Sequence, residues 1–454
     1  MDFDGKKIAV LGFGAEGASA VNFMLGHKAR VSVFDVRSED KFDHEQISRL
    51  KEKRVEFWFD KYPESFSGFD CVVRSPGISP LSQVFEKIKK ETIEVTSATK
   101  IFFDLCPAPI IGVTGTKGKG TTSTLIYEML KKQGIDAYLG GNIGLPPLEF
   151  LASLKSDSWV VLELSSFQLQ DLTKSPKIAV VLMVTSEHLD YHRDVPEYVD
   201  AKRNILRFQS HSDFAILNRD YPASNESDIH TEAQIYNVSR EMGDERGCYV
   251  REGFIVIKPD GAELKLIPTA DILLPGKHNF ENACAATMAA YLAGVEIPNI
   301  AVVLKEFKGL EHRLELVRVF GGVRYYDDSF STIPETAIAA IEAFEDPEIL
   351  ILGGSSKNSD FTELGRILRE AKNIKAIIGI GEEWLRIKAS IQYPVSSIQY
   401  VEGCSNMEEI VRKAREVAEI GDVVILSPAC ASFDMFKNYK DRGEQFKREV
   451  LALK

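Results

Sequence analysis

The chain has little of what would take it out of an aqueous, reducing compartment. Its six cysteines, at 71, 106, 248, 284, 404 and 430, form no Cys-x-x-Cys pair, so they read as reduced thiols and a zinc site is not expected. No run approaches the ~18 apolar residues of a membrane span. The opening Met1-Asp-Phe-Asp-Gly-Lys-Lys7 lacks the apolar core of a secretory leader. Positive charge is in deficit: 55 Lys and Arg stand against 67 Asp and Glu, a net −12. That argues against a general basic surface for nucleic acid or membranes, but leaves room for a local cluster that holds an anionic small molecule. Internal repeats and low-complexity tracts are missing too. The expectation is a cytoplasmic protein, a monomer, with small-molecule partners.

The 454 residues suggest about three domains at ~150 residues each. The most informative stretch is Gly112-Val-Thr-Gly-Thr-Lys-Gly-Lys-Gly-Thr-Thr122. It follows the apolar run Pro109-Ile-Ile111 and leads into Thr121 to Lys132, a helical pattern with Leu125, Ile126, Met129 and Leu130 on one face. Strand, glycine turn and helix N-terminus together make an anion site. Lys119 reaches the outer phosphates as a point charge. The full P-loop spacing is not met; the turn is the shorter Gly115-Thr-Lys-Gly-Lys-Gly120.

A second glycine turn precedes it. Lys7 to Gly12 reads as a buried strand, Gly12-Phe-Gly-Ala-Glu-Gly17 as a dinucleotide-type turn, Ala18 to Leu25 as a helix, and Arg30 to Asp35 as a strand ending in an acid. The acid about 20 residues on completes the fingerprint, which fits NAD or any other diphosphate. Phe69 to Ile78 is a later strand ending in Ser75-Pro-Gly-Ile78, and Arg37 is the nearby cation. Cys106-Pro-Ala-Pro109 is a linker.

Further along, Gly140-Gly-Asn-Ile-Gly144 is a glycine turn with one polar side chain, Asn142. Glu163 sits late in the apolar strand Trp159 to Leu164, a costly place for a carboxylate unless it meets Mg²⁺ or a buried cation. Ile178 to Val184 is another buried strand, and His188 follows at its end. Asp194 caps a helix with Pro196 in its first turn, on which Lys202 and Arg203 read as the solvated face. Asn279 and Asn282 share a helical face, fit to read a base edge or to cap a helix start. Beyond about residue 311, strands at Ile349, Ala376 and Asp422, each ending in small or polar residues and separated by helices, predict a doubly wound sheet.

Several of these motifs carry a resemblance to a known family. Gly115-Thr-Lys-Gly-Lys119, Gly141-Asn-Ile-Gly144, Glu163 to Leu169, His188-Leu-Asp190 and His278-Asn-Phe-Glu-Asn282 resemble the Mur ligases. Gly12 to Gly17, Ser75 to Ile78 and above all Ser427 to Phe446 resemble their D-glutamate-adding branch. The resemblance implies an α/β protein of three domains: a Rossmann-like domain over residues 1–106 for a UDP-linked substrate, a P-loop-type ATPase domain over 107–310, and a doubly wound Rossmann-like domain over 311–454 for the amino acid. It implies ATP and Mg²⁺, and a ligation in peptidoglycan precursor synthesis that joins D-glutamate to UDP-MurNAc-L-alanine through an acyl phosphate. Lys119, Glu163, His188 and Lys202 would be catalytic. Glu163, His188, Thr121 and a carbamylated Lys202 would hold the metal. ATP would meet Gly115, Thr116, Lys117, Gly118, Lys119, Gly120, Thr121, Asn279, Asn282, Arg313 and Asp328. The UDP substrate would meet Gly14, Ala15, Glu16, Asp35, Arg37, Ser75, Pro76, Gly77, Ile78, Asn142 and His188; D-glutamate would meet Thr332, Lys357, Ser432 and Tyr439. Four positions depart from the pattern: Gly120 for a hydroxyl residue, Phe330 for a lysine, Ser355 for an acid and Tyr439 for a phenylalanine.

Overall fold

A computed structural model describes residues 2–185, 191–241, 243, 246–356, 359–392 and 398–454. Among these residues the apolar runs form three sheets. In the first, β1 (Lys7–Leu11), β2 (Arg30–Phe34), β3 (Glu56–Trp58), β4 (Cys71–Arg74) and β5 (Glu94–Ser97) lie in the order 3-2-1-4-5. All its pairings are parallel, so the turns after β1, β2 and β4 share one edge.

The second sheet has nine strands: β6 (Ile110–Thr114), β7 (Ala137–Gly141), β8 (Trp159–Glu163), β9 (Ile178–Val181), β10 (Phe214–Asn218), β11 (Gln234–Ser239), β12 (Gly247–Arg251), β13 (Phe254–Lys258) and β14 (Leu264–Pro268). Their order is 14-13-12-11-10-9-6-8-7. β6 to β12 pair in parallel; β13 and β14 add an antiparallel edge. The third sheet orders β15 (Glu315–Phe320), β16 (Val323–Asp327), β17 (Glu348–Gly353), β18 (Ile374–Ile380), β19 (Gln399–Val401) and β20 (Val423–Leu426) as 15-16-20-17-18-19, parallel except for the hairpin β15–β16.

Strands such as β6, β17 and β20 are buried along their whole length, as expected for parallel sheets with helices on both faces. Several helix starts follow side-chain caps, though the helices that open from the two glycine turns have none. Asp194 accepts the Glu197 amide at 2.8 Å, and Asn438 accepts the Asp441 amide at 3.0 Å. The helix after the first turn spans Ala15–Gly26, three residues earlier than the apolar pattern indicates, because Gly17 packs directly under the Gly12 carbonyl. A Cβ on Gly17 would lie 2.0 Å from that oxygen.

The sheets divide between two compact units. Residues 1–269 and 280–303 form one, which contains the first two sheets; residues 270–279 and 304–454 form the other. The expected division at 106/107 falls inside the first unit, in the linker between Leu105 and Ile110. Among the described residues, no helix is long and apolar enough to cross a membrane.

Candidate functional site

The first sheet's edge is built by a close approach of two turns. Gly12 has φ +86°, and a Cβ there would come within 2.7 Å of Ser75 Cβ. The amide of Phe13 donates to Asp35 at 2.8 Å. Arg37 grips the same carboxylate with two guanidinium bonds, 3.0 and 2.8 Å, and lies over the Phe42 ring at 4.5 Å. Burial alone would raise the Asp35 pKa; the bonds from Arg37 and Phe13 outweigh it and hold the carboxyl below its usual range. Glu16, in the first turn of the helix, accepts Gln168 Nε2 at 2.6 Å. Its carboxyl is pushed up to about 7, chiefly by burial, with Gln168 and Arg74 pulling the other way.

The second sheet brings β7, β8, β6 and β9 side by side, so Asn142, Glu163 and the turn Gly115–Gly120 meet at one edge. Asn142 Nδ2 donates to Glu163 Oε1 at 2.8 Å, and the Asn142 amide to the Glu163 carbonyl at 2.9 Å. Glu163 is 6% exposed. The glycine turn is lashed down on several sides. The Thr116 amide donates to the Met183 carbonyl at 2.6 Å, and Thr116 Oγ1 shares a hydrogen bond with Tyr198 at 2.9 Å. Gly118, at φ +86°, faces Asn282: a Cβ there would sit 2.2 Å from Asn282 Oδ1. Thr122 Oγ1 donates to that same oxygen at 3.4 Å. The helix Lys119–Lys132 opens directly from this turn, so its first amides point to the edge.

Two lysines converge on one oxygen. Lys119 Nζ donates to the carbonyls of Gly115 and Thr116, both at 2.9 Å, and Lys202 Nζ donates to Gly115 at 2.8 Å. Lys202 corrects the helical-face reading. It is 2% exposed, and its ammonium lies 4.6 Å over the Tyr198 ring. The helix Val195–Arg203 is covered by the phosphate-type turn on the side where the sequence alone suggested solvent. Gly115, Gly118, the helix N-terminus and Lys119 form a cradle suited to phosphate. Glu163 offers hard oxygen beside it, of the kind Mg²⁺ takes. His188 and Lys357 lie outside the described residues.

In the second unit the carboxyl edge of the third sheet is held by buried charge. Asp328 accepts Ser427 Oγ at 2.6 Å, the Leu314 amide at 3.1 Å and the Ser331 hydroxyl. Burial pushes its carboxyl up to about 7 against those bonds. Arg442, fully buried, donates to Ser329 Oγ and Ser329 O at 2.9 Å each and to the Cys430 and Ala431 carbonyls at 3.2 Å. Burial draws its pKa down to about 10, still cationic at neutral pH. It thereby ties the Asp328–Thr332 turn to the turn that carries Ser432. Two departures from the family pattern touch each other: the Phe330 and Tyr439 rings stand edge to face at 5.2 Å, and the Arg313 guanidinium lies 3.9 Å from the Phe330 centroid. Ser355 Oγ accepts the Phe433 amide at 3.0 Å.

His312 completes this network. Its Nδ1 is 2.6 Å from Asp327, whose carboxylate lifts the imidazole pKa although burial opposes it. Among the described residues two His-carboxylate clusters centre on His312, with Glu311 and Glu444 and with Glu315 and Asp327. Lys447 Nζ already serves Glu444, Glu315 and Glu311 at 2.8, 3.3 and 3.4 Å, so a cation is built in.

Asn279 Nδ2 donates to the Pro275 carbonyl at 2.6 Å, a helix-start bond. Missing from the sequence reading are the two buried arginines, Arg74 and Arg442. Arg74 ends an apolar strand just as Glu163 does, and that same signal could have found it.

Comparison with known proteins agrees along the whole chain. Models of the MurD-like Mur ligase N-terminal domain, the Mur ligase middle domain and the Mur ligase glutamate ligase domain match residues 6–97, 113–290 and 312–430. The chain is 40% identical to the UDP-N-acetylmuramoylalanine–D-glutamate ligase of Acetivibrio thermocellus, over 99% of this chain and 97% of that one. It is 37% identical to the ligase of the same name from Caldanaerobacter subterraneus subsp. tengcongensis, over the full length of both. The crystal structure of UDP-N-acetylmuramate–alanine ligase MurC from Thermotoga maritima shares the fold, with a TM-score of 0.57 at 17% identity, over 99% of this chain and 100% of that one. The chain therefore belongs to the Mur ligase family, alongside the relatives named for D-glutamate.

Proposed function

We propose that the chain joins D-glutamate to UDP-N-acetylmuramoyl-L-alanine (the acceptor) at the expense of ATP. Family membership makes it an ATP-dependent amino-acid ligase of peptidoglycan precursor synthesis. The choice of D-glutamate is carried by the full-length likeness to relatives named for that reaction.

In this reading the turn Gly115–Gly120 and Lys119 bind the ATP phosphates, with Asn282 supporting the turn from below. Glu163, Thr121, His188 and Lys202 would hold Mg²⁺, which when bound neutralises phosphate charge. Carbamylation of Lys202 belongs to the proposal; its nitrogen keeps one N–H for the Gly115 carbonyl. The acceptor would meet Gly14, Ala15, Glu16, Asp35, Arg37, Ser75–Ile78, Asn142 and His188. Its carboxylate takes the γ-phosphoryl group, the amine of D-glutamate attacks the resulting acyl phosphate, and phosphate leaves. Thr332, Lys357, Ser432 and Tyr439 receive D-glutamate, and Asn279, Arg313 and Asp328 belong to the ATP site.

The contact of Phe330 with Arg313 and Tyr439 favours a second reading, a different amino acid, because two non-family side chains meet beside the proposed amino-acid site. The deciding experiment measures phosphate release from ATP with Mg²⁺ and acceptor, adding each amino acid in turn. Release dependent on D-glutamate supports the proposal. Release with another amino acid replaces the substrate, and no release with both nucleotides bound turns the chain into a binding protein.

A further inference from the structure

Arg74 closes β4 at the ligand edge of the first sheet, yet it is 1% exposed. Its guanidinium reaches three segments. Nε and one terminal nitrogen donate to Asp171 Oδ2 at 3.1 and 2.8 Å, and that same terminal nitrogen meets the Phe167 carbonyl at 3.0 Å. The other terminal nitrogen donates to the carbonyls of Ile78 at 3.0 Å and Pro76 at 3.3 Å and contacts the Tyr191 hydroxyl at 3.1 Å. Tyr191 repeats the link: its hydroxyl donates to the Pro76 carbonyl at 2.8 Å while its ring stacks on Phe167 at 3.9 Å. The other edge turn of the first sheet reaches the same segment through Glu16 and Gln168.

The segment from Ser166 to Asp171 starts just after Glu163. It is also held from the Lys202 side, where Asn204 Nδ2 donates to the carbonyls of Leu169 at 2.7 Å and Leu172 at 2.6 Å. Both acceptor turns and the helix of Lys202 therefore hang on one short stretch. A buried guanidinium is tolerated only when its donors are used, and here they are used to join two sheets.

We propose that Arg74 is a positioning residue: through Phe167, Asp171 and Tyr191 it fixes the Ser75–Ile78 turn, and the acceptor on it, in register with Glu163 and the phosphate turn. This rests on the acceptor assignment above. Arg74 touches no substrate in this role. Its effect follows from geometry, since a shift of ~1 Å between reacting groups costs about 10²-fold in rate.

The test compares wild type with Arg74→Met, Arg74→Lys and Tyr191→Phe in the phosphate-release assay, with calorimetric titration of the acceptor and a melting curve alongside. Arg74→Met is expected to lower kcat/KM for the acceptor about 100-fold, with KM up about tenfold, while KM for ATP stays within about twofold. Arg74→Lys falls between, because three donors cannot span the same partners. Tyr191→Phe, which keeps the ring stack, weakens the acceptor about threefold to tenfold. A folded Arg74→Met with wild-type acceptor constants, or with ATP and acceptor equally affected, overturns the proposal. If Arg74→Met does not fold, an unchanged acceptor KM in Tyr191→Phe overturns it. Wild type that binds acceptor but releases no phosphate with D-glutamate defeats the functional reading, and the titration of Arg74→Met then still decides the positioning role. Wild type that binds no acceptor defeats both.

Discussion

At Gly12–Gly17 and at Gly115–Gly120 a parallel strand ends, a glycine adopts a positive φ, and a helix begins. The side chains around the two turns then diverge. At the first, the nearby cation Arg37 is already matched by Asp35, and Glu16 adds a carboxyl that titrates near neutrality. At the second, two ammonium groups gather on the Gly115 carbonyl. The backbone plan thus selects for an anion, and the flanking charges set how much anion. On the proposed reading a site with a pre-neutralised cation suits a diphosphate already bonded to a sugar and a base, and the ammonium of Lys119 at the other suits a triphosphate, while a carbamylated Lys202 would add a metal-holding anion, not a second cation.

That contrast can be broken at its strongest point by Lys119→Ala. Turnover should fall about 10³-fold while calorimetric affinity for the acceptor stays near wild type. Equal loss of both would erase the division of labour between the turns. Lys202→Ala should cost about 10²-fold, with partial recovery on adding short carboxylic acids, if an anion at this position is what the reaction needs. Full activity without added acid would remove the carbamate.

Gly12→Ala tests the other turn. The new Cβ meets Ser75 at 2.7 Å in a left-handed conformation. The strain of ~1–3 kcal/mol should appear as about a tenfold rise in acceptor KM with ATP KM unmoved. The smallest expected effect is at Glu16. Its raised pKa means the folded chain keeps a proton that the unfolded chain releases, so its stabilising contribution is full below 4.5, the ordinary value for a glutamate, and is lost as pH rises through about 7. Over the same rise a negative charge develops at the acceptor turn. Acceptor KM should therefore increase about threefold between roughly pH 6 and 8, and Glu16→Gln should flatten the profile. A profile unchanged by Glu16→Gln would assign the titration to another group.

Strands such as β1, β8 and β20 were legible because each is an apolar run that ends in or beside glycine or a polar residue, whereas β5 (Glu-Val-Thr-Ser) and β11 (Gln-Ile-Tyr-Asn-Val-Ser) carry polar residues within them and were not. Three such endings, at Gly12, Gly115 and Glu163, marked the strand ends where the candidate site turns lie. Lys202 was not legible from its residues: nine helical positions with lysine and arginine last look solvated, and only the glycine turn folded over them makes the face an interior. Arg74 and Arg442 were hidden for a related reason, since the carbonyls that accept from a buried arginine leave no trace in side-chain chemistry. Ile178 to Val184 reads as one strand, but β9 stops at Val181, where the chain turns aside to bond Thr116. The contact between Phe330 and Tyr439, more than a hundred positions apart, could not be read from either residue alone.

Arg442 has a consequence for how this protein can diverge. Its donors serve Ser329 on one turn and Cys430 and Ala431 on another, and the side chain is buried from bulk solvent. A change at either turn that moves those acceptors must be answered at the other, so the two turns are inherited as a pair. Substitutions at Ser329 and Arg442 should then be strongly non-additive, and recombinants that take one turn from a distant relative should fail more often than those that take both.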